Sequence, residues 1–305
     1  MRIVVHGQQA FGRAVLERLL ERGENIIAVC TAPDKEGRPL DPLKELAVEK
    51  GLPVYQPASW KTPEALELMQ SLDADVCIMA YVLLFVPQPV LDAPRLGSFQ
   101  YHPSLLPMHR GPSSINWPIA MGKSRTGLTI FWPDEGLDEG PILLQKECEI
   151  GPNESLGDVY FKKLFPMGVD AMIESLDLVK AGNAPRIAQN LDEGSYESWF
   201  GKKQAEIDWS KPAAEIYNII RAANPQPGAW TTVDGETLQI FDSHLVESVA
   251  GEAGTVESIS EEGVLVSAGD AGGILMARVR GPEGKVSAAQ YAAAADLKVG
   301  HKLGV

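Results

Sequence analysis

Short apolar runs alternate with segments of helical period from the first residues to about residue 140, and that rhythm restricts the chain more than any other feature. Arg2–His6, Ile26–Thr31, Leu52–Tyr55 and Asp75–Ala80 read as buried strands. Between them lie a helix running to about Glu21, with Val15, Leu16, Leu19 and Leu20 at helical spacing, and helices over Pro42–Lys50 and Pro63–Ser71. Strands separated by helices pair in parallel, because each helix carries the chain back along the sheet. The expected fold class is therefore α/β: a Rossmann-like, mostly parallel sheet with helices on both faces and right-handed crossovers.

Ser98–Tyr101 and Leu128–Trp132 read as further strands, and Ile142–Ile150 alternates like an edge strand or a hairpin. Ser155–Ala181 has the period of one long amphipathic helix, stopped at Gly182. Beyond it the pattern changes. Residues 184–206, with Pro185, Gly194 and Gly201, read as a surface linker. A helix over Ala213–Ala223 then precedes short strand-like segments, 229–233, 236–242, 254–259, 263–267 and 273–278, separated by glycines and acids. The expected division is a catalytic domain over 1–183, a linker over 184–206 and a small OB-like β-barrel over 207–305.

Composition removes several function classes. A net charge of −14 opposes any partner bound through its phosphates, so nucleic acid is not expected. The pairs Lys123/Arg125, Lys162/Lys163 and Lys202/Lys203 have acids close by and read as solvated faces. Residues 211–305 hold seven Lys and Arg against twelve Asp and Glu. No apolar run is long enough to span a membrane, and the start, Met1-Arg2-Ile3-Val4-Val5, enters a strand with no signal-peptide features. Cys30, Cys77 and Cys148 lie in separate apolar segments, as core thiols of a reducing compartment do, so a cytoplasmic location and no metal site are expected.

Two loops can carry chemistry. His102 ends the strand Ser98–Tyr101 and opens a segment, Pro103 to Gly111, stiffened by two prolines and closed by a glycine. Pro133-Asp134-Glu135-Gly136-Leu137-Asp138-Glu139-Gly140 follows the strand 128–132. A histidine and a carboxylate meeting at the carboxyl edge of one sheet can share a proton and orient a water. On the residues alone, His102 and Asp138 are open to a catalytic or a structural reading. The same holds for Met79–Phe85, whose periodicity fits plain sheet core. Ser104 lacks a glycine elbow. Gly7-Gln8-Gln9-Ala10-Phe11-Gly12 has Gln9 where a dinucleotide loop needs glycine, so it reads as a strand-to-helix turn. His6 reads as a satisfied strand-end residue, His109 as packing beside Arg110, and His244 and His301 as surface residues.

The motifs His102-Pro103-Ser104-Leu105-Leu106-Pro107, His109-Arg110-Gly111 and Gly136-Leu137-Asp138-Glu139-Gly140, in that order, resemble the folate-dependent formyltransferase family. Trp209-Ser210-Lys211-Pro212, Ile220-Arg221-Ala222 and Pro227-Gly228-Ala229 look like the start of that family's carboxyl-terminal barrel. Pro33 to Gly37, Ile115-Asn116-Trp117, Ile130-Phe131-Trp132 and Leu143 to Glu149 are similar to the amino-terminal hydrolase domain of 10-formyltetrahydrofolate dehydrogenase; the chain also resembles methionyl-tRNA formyltransferase. The resemblance implies an enzyme of one-carbon metabolism with 10-formyltetrahydrofolate as formyl donor and no metal. It implies hydrolysis to tetrahydrofolate and formate, with transfer to an amine, methionyl-tRNA or an amino sugar, as the alternative. His102 and Asp138 take the family's catalytic positions. The family's Asn, two residues before the His, is replaced by Gln100, whose extra methylene displaces the amide and weighs against transfer. The folate would lie against Tyr81, Leu83, Leu84, Phe85, Asp134, Glu135 and Leu137.

Overall fold

A computed structural model describes residues 1–304 and divides them between two compact units, one of residues 1–111, 127–148 and 163–196, the other of 112–126, 149–162 and Glu197 onward. The first is built from β1 (Arg2–Gly7), α1 (Gln9–Glu21), β2 (Asn25–Cys30), α2 (Pro42–Glu49), β3 (Val54–Tyr55), α3 (Pro63–Ser71), β4 (Val76–Ala80), α4 (Gln88–Leu91) and β5 (Ser98–His102). α5 (Asn116–Ala120) belongs to the second unit, and β6 (Arg125–Phe131) and β7 (Ile142–Glu149) complete the sheet.

The seven strands lie in the order β3-β2-β1-β4-β5-β6-β7. β1 pairs in parallel with β2 and β4, β2 with β3, and β4 with β5, as the alternation requires. β5 and β6 are antiparallel. The sheet is thus mostly parallel with a reversed sixth strand, and β7 is an edge strand rather than half of a separate hairpin. On one face Val4, Cys30, Cys77 and Met79 pack with Trp60, Ala65 and Met69 in a single core cluster. On the other, Phe11 of α1 stacks on Tyr101 with ring centroids 4.3 Å apart, and Phe165 meets Phe11 edge-on. Gly168 lets the helix that begins at Phe165 press in, since a Cβ there would lie 2.7 Å from Tyr101.

The expected long helix 155–181 is broken into α6 (Leu156–Val159), a π turn over Tyr160–Leu164, and α7 (Phe165–Lys180). Pro166 has no amide hydrogen to give the preceding turn, and the wider turn absorbs the missing bond. α6 begins with a capping box, Ser155 and Asp158 each bonding the other's backbone amide.

The second unit holds α8 (Ala213–Ala223), β8 (Ala229–Val233), β9 (Glu236–Ile240), β10 (Ser243–Val246), β11 (Val256–Ser260), β12 (Gly263–Ser267), β13 (Gly273–Met276), β14 (Arg278–Gly281), β15 (Gly284–Ser287) and α9 (Ala288–Ala294). The strands form two four-stranded antiparallel sheets, β10-β13-β12-β11 and β15-β14-β9-β8. Among the described residues no helix is long and apolar enough to cross a membrane.

His6 departs from its expected role. The ring is 3% exposed beside Trp60, 4.7 Å between centroids, and bonds no described residue; Trp60 Nε1 is likewise buried without a partner. Burial lowers the His6 pKa from 6.5 to about 3, so the folded chain keeps it neutral. The unfolded chain takes up that proton near pH 6.5. Stability that is full above this value is therefore lost as the pH falls toward 3. At pH 4.5 the loss from this residue is about 2–3 kcal/mol. The unfolding free energy from urea titration should fall less between pH 7 and pH 4.5 in His6→Phe than in the wild type, by that amount. Parallel falls in the two proteins would mean that His6 is protonated in the fold.

Candidate active site

β5 carries the centre of the site. Gln100 and His102 are two residues apart and so share a face, and Gln100 is paired with Met79 on one side and Phe131 on the other. Their face is that of the Met79 core cluster, while Tyr101 points to the opposite one. His102 is 5% exposed, and its ring meets Phe131 edge-on at 6.5 Å. The amide of Gln100 is half-buried and forms no hydrogen bond to another described residue.

The loop after His102 is held on several sides. Thr129 Oγ1 donates to the Ser104 carbonyl and accepts from the Leu106 amide, and Gln145 Nε2 donates to the Leu106 carbonyl. Ser104 is fully buried, with its hydroxyl bonded to the Met108 carbonyl, which leaves no nucleophile there. His109 sits at φ 57°, its amide on Ser195 Oγ at 2.9 Å and its carbonyl 3.0 Å from His102 Nε2. A carbonyl can only accept, so Nε2 carries a hydrogen. Nδ1 is then the nitrogen at which a proton can come and go.

Nδ1 faces Asp138, 3.6 Å from Oδ2. Asp138 is buried at φ 58°, a left-handed conformation that Asp and Asn tolerate better than most residues, and Oδ2 also accepts the Gly111 amide at 2.9 Å. The expected meeting of the two loops at the carboxyl edge needs a correction. Because β6 is reversed, running from Thr129 opposite His102 to Phe131 opposite Gln100, the Asp138 loop leaves β6 toward the amino end of β5 and has to fold back to His102. Its return is pinned by three contacts. The Trp132 amide bonds the Pro141 carbonyl, Gln189 Nε2 donates to the carbonyls of Asp138 and Gly140, and Glu139 pairs with Arg110.

The loop 81–85 leaves β4 beside His102, since Met79 is paired with Gln100. It is not sheet core. Tyr81, Leu83 and Phe85 are exposed, the last two by more than half, whereas Val82 and Leu84 pack against the core cluster. On the Asp138 loop Leu137 is 55% exposed, Glu135 is exposed, and half-buried Asp134 accepts the Gly136 amide. Gln9, Tyr81, His109 and Asp138 all have positive φ, and such conformations concentrate where a backbone is held for function. The Gln9 amide itself is taken by both oxygens of Asp41. Gln189, Ser195, Thr129 and Gln145 were not legible as site residues: Gln189 and Ser195 are lone polar residues far from the motifs in sequence, and Thr129 and Gln145 lie within β6 and β7, where a polar side chain gives no sign of its partner. No group of three or more His, Cys, Asp or Glu placed to hold a metal ion occurs among the described residues.

Residues 1–176 match the family described as formyl transferase, and residues 200–295 match the formyl transferase C-terminal domain. The chain belongs to the formyl transferase family. It is 42% identical over 253 residues to cytosolic 10-formyltetrahydrofolate dehydrogenase of Xenopus laevis, covering 81% of this chain and 28% of that protein. Formyl transferase relatives of similar length also match: methionyl-tRNA formyltransferase of Clostridioides difficile is 36% identical over 273 residues, 88% of each chain. HypX of Aquifex aeolicus, solved with tetrahydrofolic acid, shares the fold with a TM-score of 0.67 at 19% identity, over 96% of this chain and 47% of its own.

Proposed function

We propose that this chain hydrolyses 10-formyltetrahydrofolate to tetrahydrofolate and formate in the cytoplasm, using His102, Asp138 and Gln100. The buried approach of His102 Nδ1 to Asp138 Oδ2 carries the reading. A water held by Asp138 adds to the formyl carbon, and the oxygen that gains charge is met by the Gln100 amide and His102 Nδ1–H. The C–N bond then breaks, the proton released by the water passes to the folate nitrogen through the His102/Asp138 pair, and formate leaves. Exposed Tyr81, Leu83, Phe85 and Leu137 offer an apolar surface for a pterin, Leu84 supports that loop from beneath, and Asp134 and Glu135 offer acceptors for its N–H edge.

Hydrolysis is preferred over transfer because Gln100 places its amide a methylene further out than Asn would. The identity with the dehydrogenase supports it as well. Transfer to an amine is the second reading, supported by the match along 88% of methionyl-tRNA formyltransferase, although the net charge of −14 opposes a tRNA acceptor. Incubation with 10-formyltetrahydrofolate alone decides between them. Stoichiometric formate and tetrahydrofolate support hydrolysis, while turnover only with an added amine overturns it. If the Gln100 amide meets the developing charge, Gln100→Leu should cost about 2–4 kcal/mol in kcat with little change in substrate affinity. An unaltered kcat would leave Gln100 filling the strand.

A further inference from the structure

Arg221 of α8 is a buried cation to which no carboxylate among the described residues is bonded. It is 7% exposed. Nη1 donates to the carbonyls of Gly151 and Glu154, Nη2 to Asn218 Oδ1 at 2.6 Å, and the guanidinium lies 5.4 Å from the Tyr217 ring centroid. Burial pulls its pKa down, and the negative charge of Glu154 only partly opposes this. Glu154 acts from beyond ion-pair distance, with Oε2 taken by the Gly151 amide. A guanidinium does not shed its proton in a protein, and a buried charge without a counter-charge is costly.

Two side-chain donors, one of them its own, are also unsatisfied. Arg221 Nε and Ser243 Oγ are both buried without a hydrogen-bond partner among the described residues. The two residues line one cavity of about 570 Å³, within the range of small-molecule sites. The carboxylates on its wall are engaged elsewhere: Asp158 is bonded to Ser155 and paired with Lys162, and Asp242 lies 3.7 Å from Arg278. Phe161, 62% exposed, stands on the same wall.

We propose that this cavity binds a small organic oxyanion, a carboxylate or a phosphate monoester, with the charged group on Arg221 and Ser243 and the apolar body against Phe161. Both orphaned groups can donate and an oxyanion only accepts, so one ligand satisfies both and supplies the missing charge. The site lies wholly in the second unit and does not depend on the formyl chemistry proposed above.

Benzoate and phenyl phosphate are the probes, with chloride at equal ionic strength as the reference, on the full chain. The Nε–H resonance of Arg221, assigned through Arg221→Lys, should shift saturably with one probe or both. A response to benzoate alone makes the ligand class a carboxylate, and to phenyl phosphate alone a phosphate monoester. Ser243→Ala should weaken binding about tenfold, the scale of one hydrogen bond to a charged group. Phe161→Ala, at an exposed position, should weaken binding of both probes while leaving the far-UV circular dichroism and the Arg221 resonance of the free protein in place. Shifts no larger than those with chloride overturn the proposal, as does wild-type affinity in both Ser243→Ala and Phe161→Ala.

Discussion

Asp138→Asn is expected to lower turnover of 10-formyltetrahydrofolate by at least about a hundredfold, the usual scale for losing positioned acid–base help. The backbone should be undisturbed, because Asn accepts φ 58° as readily as Asp and its side-chain oxygen can still receive the Gly111 amide. What disappears is the charge facing His102 Nδ1. Binding of a non-reactive folate should therefore change little, so that the loss falls on kcat. His102→Ala should cost a similar factor. The double variant should be no worse than the weaker single one, since a proton passed between two groups is lost once. Losses that multiply would show that the two residues act separately, and a variant keeping most of its rate would remove that residue from the mechanism.

The reasons why this pair could be read from sequence, while its support could not, are physical. Strand and helix periods are local, so the run from β1 to β5 is visible in the order of apolar residues. Strand direction is not local. Nothing in Leu128–Trp132 marks β6 as reversed, and the path of the Asp138 loop depends on that reversal. The apolar run ending at Phe85 has the composition of core, yet the strand stops at Ala80, and every second side chain beyond it is exposed. Gln189 and Ser195 act across 51 and 86 positions in the chain, and a polar residue in a glycine- and proline-rich stretch gives no sign of such a partner. The short strands β10, β14 and β15 have four residues each, too few to show alternation. By contrast α9 has a local signal: Ser287 and Gln290 form a capping box ahead of an alanine run.

Gly140→Ala is expected to be nearly as damaging to turnover as Asp138→Asn, although Gly140 has no side chain to offer a substrate. A Cβ at this position would sit 1.8 Å from the Trp132 carbonyl oxygen and 3.2 Å from the Asp134 amide nitrogen. Both are backbone atoms at the exit of β6, so no side chain can rotate away, and the loop itself has to move by more than an ångström. That shift breaks the bond between the Trp132 amide and the Pro141 carbonyl and draws the Asp138 and Gly140 carbonyls off Gln189. Asp138 then leaves its place beside His102, and a displacement of about 1 Å can cost two orders of magnitude in rate. Overpacking of this kind costs about 1–3 kcal/mol of stability, which a domain of this size survives, so the variant should be folded and inactive. Far-UV circular dichroism and turnover measured on one sample separate the two effects. Gly201→Ala, whose nearest neighbour would be Gln204 Oε1 at 3.7 Å, is the matched control and should behave as wild type. A folded Gly140→Ala protein with wild-type kcat would mean that the return path of the loop, and with it the position of Asp138, does not limit the reaction.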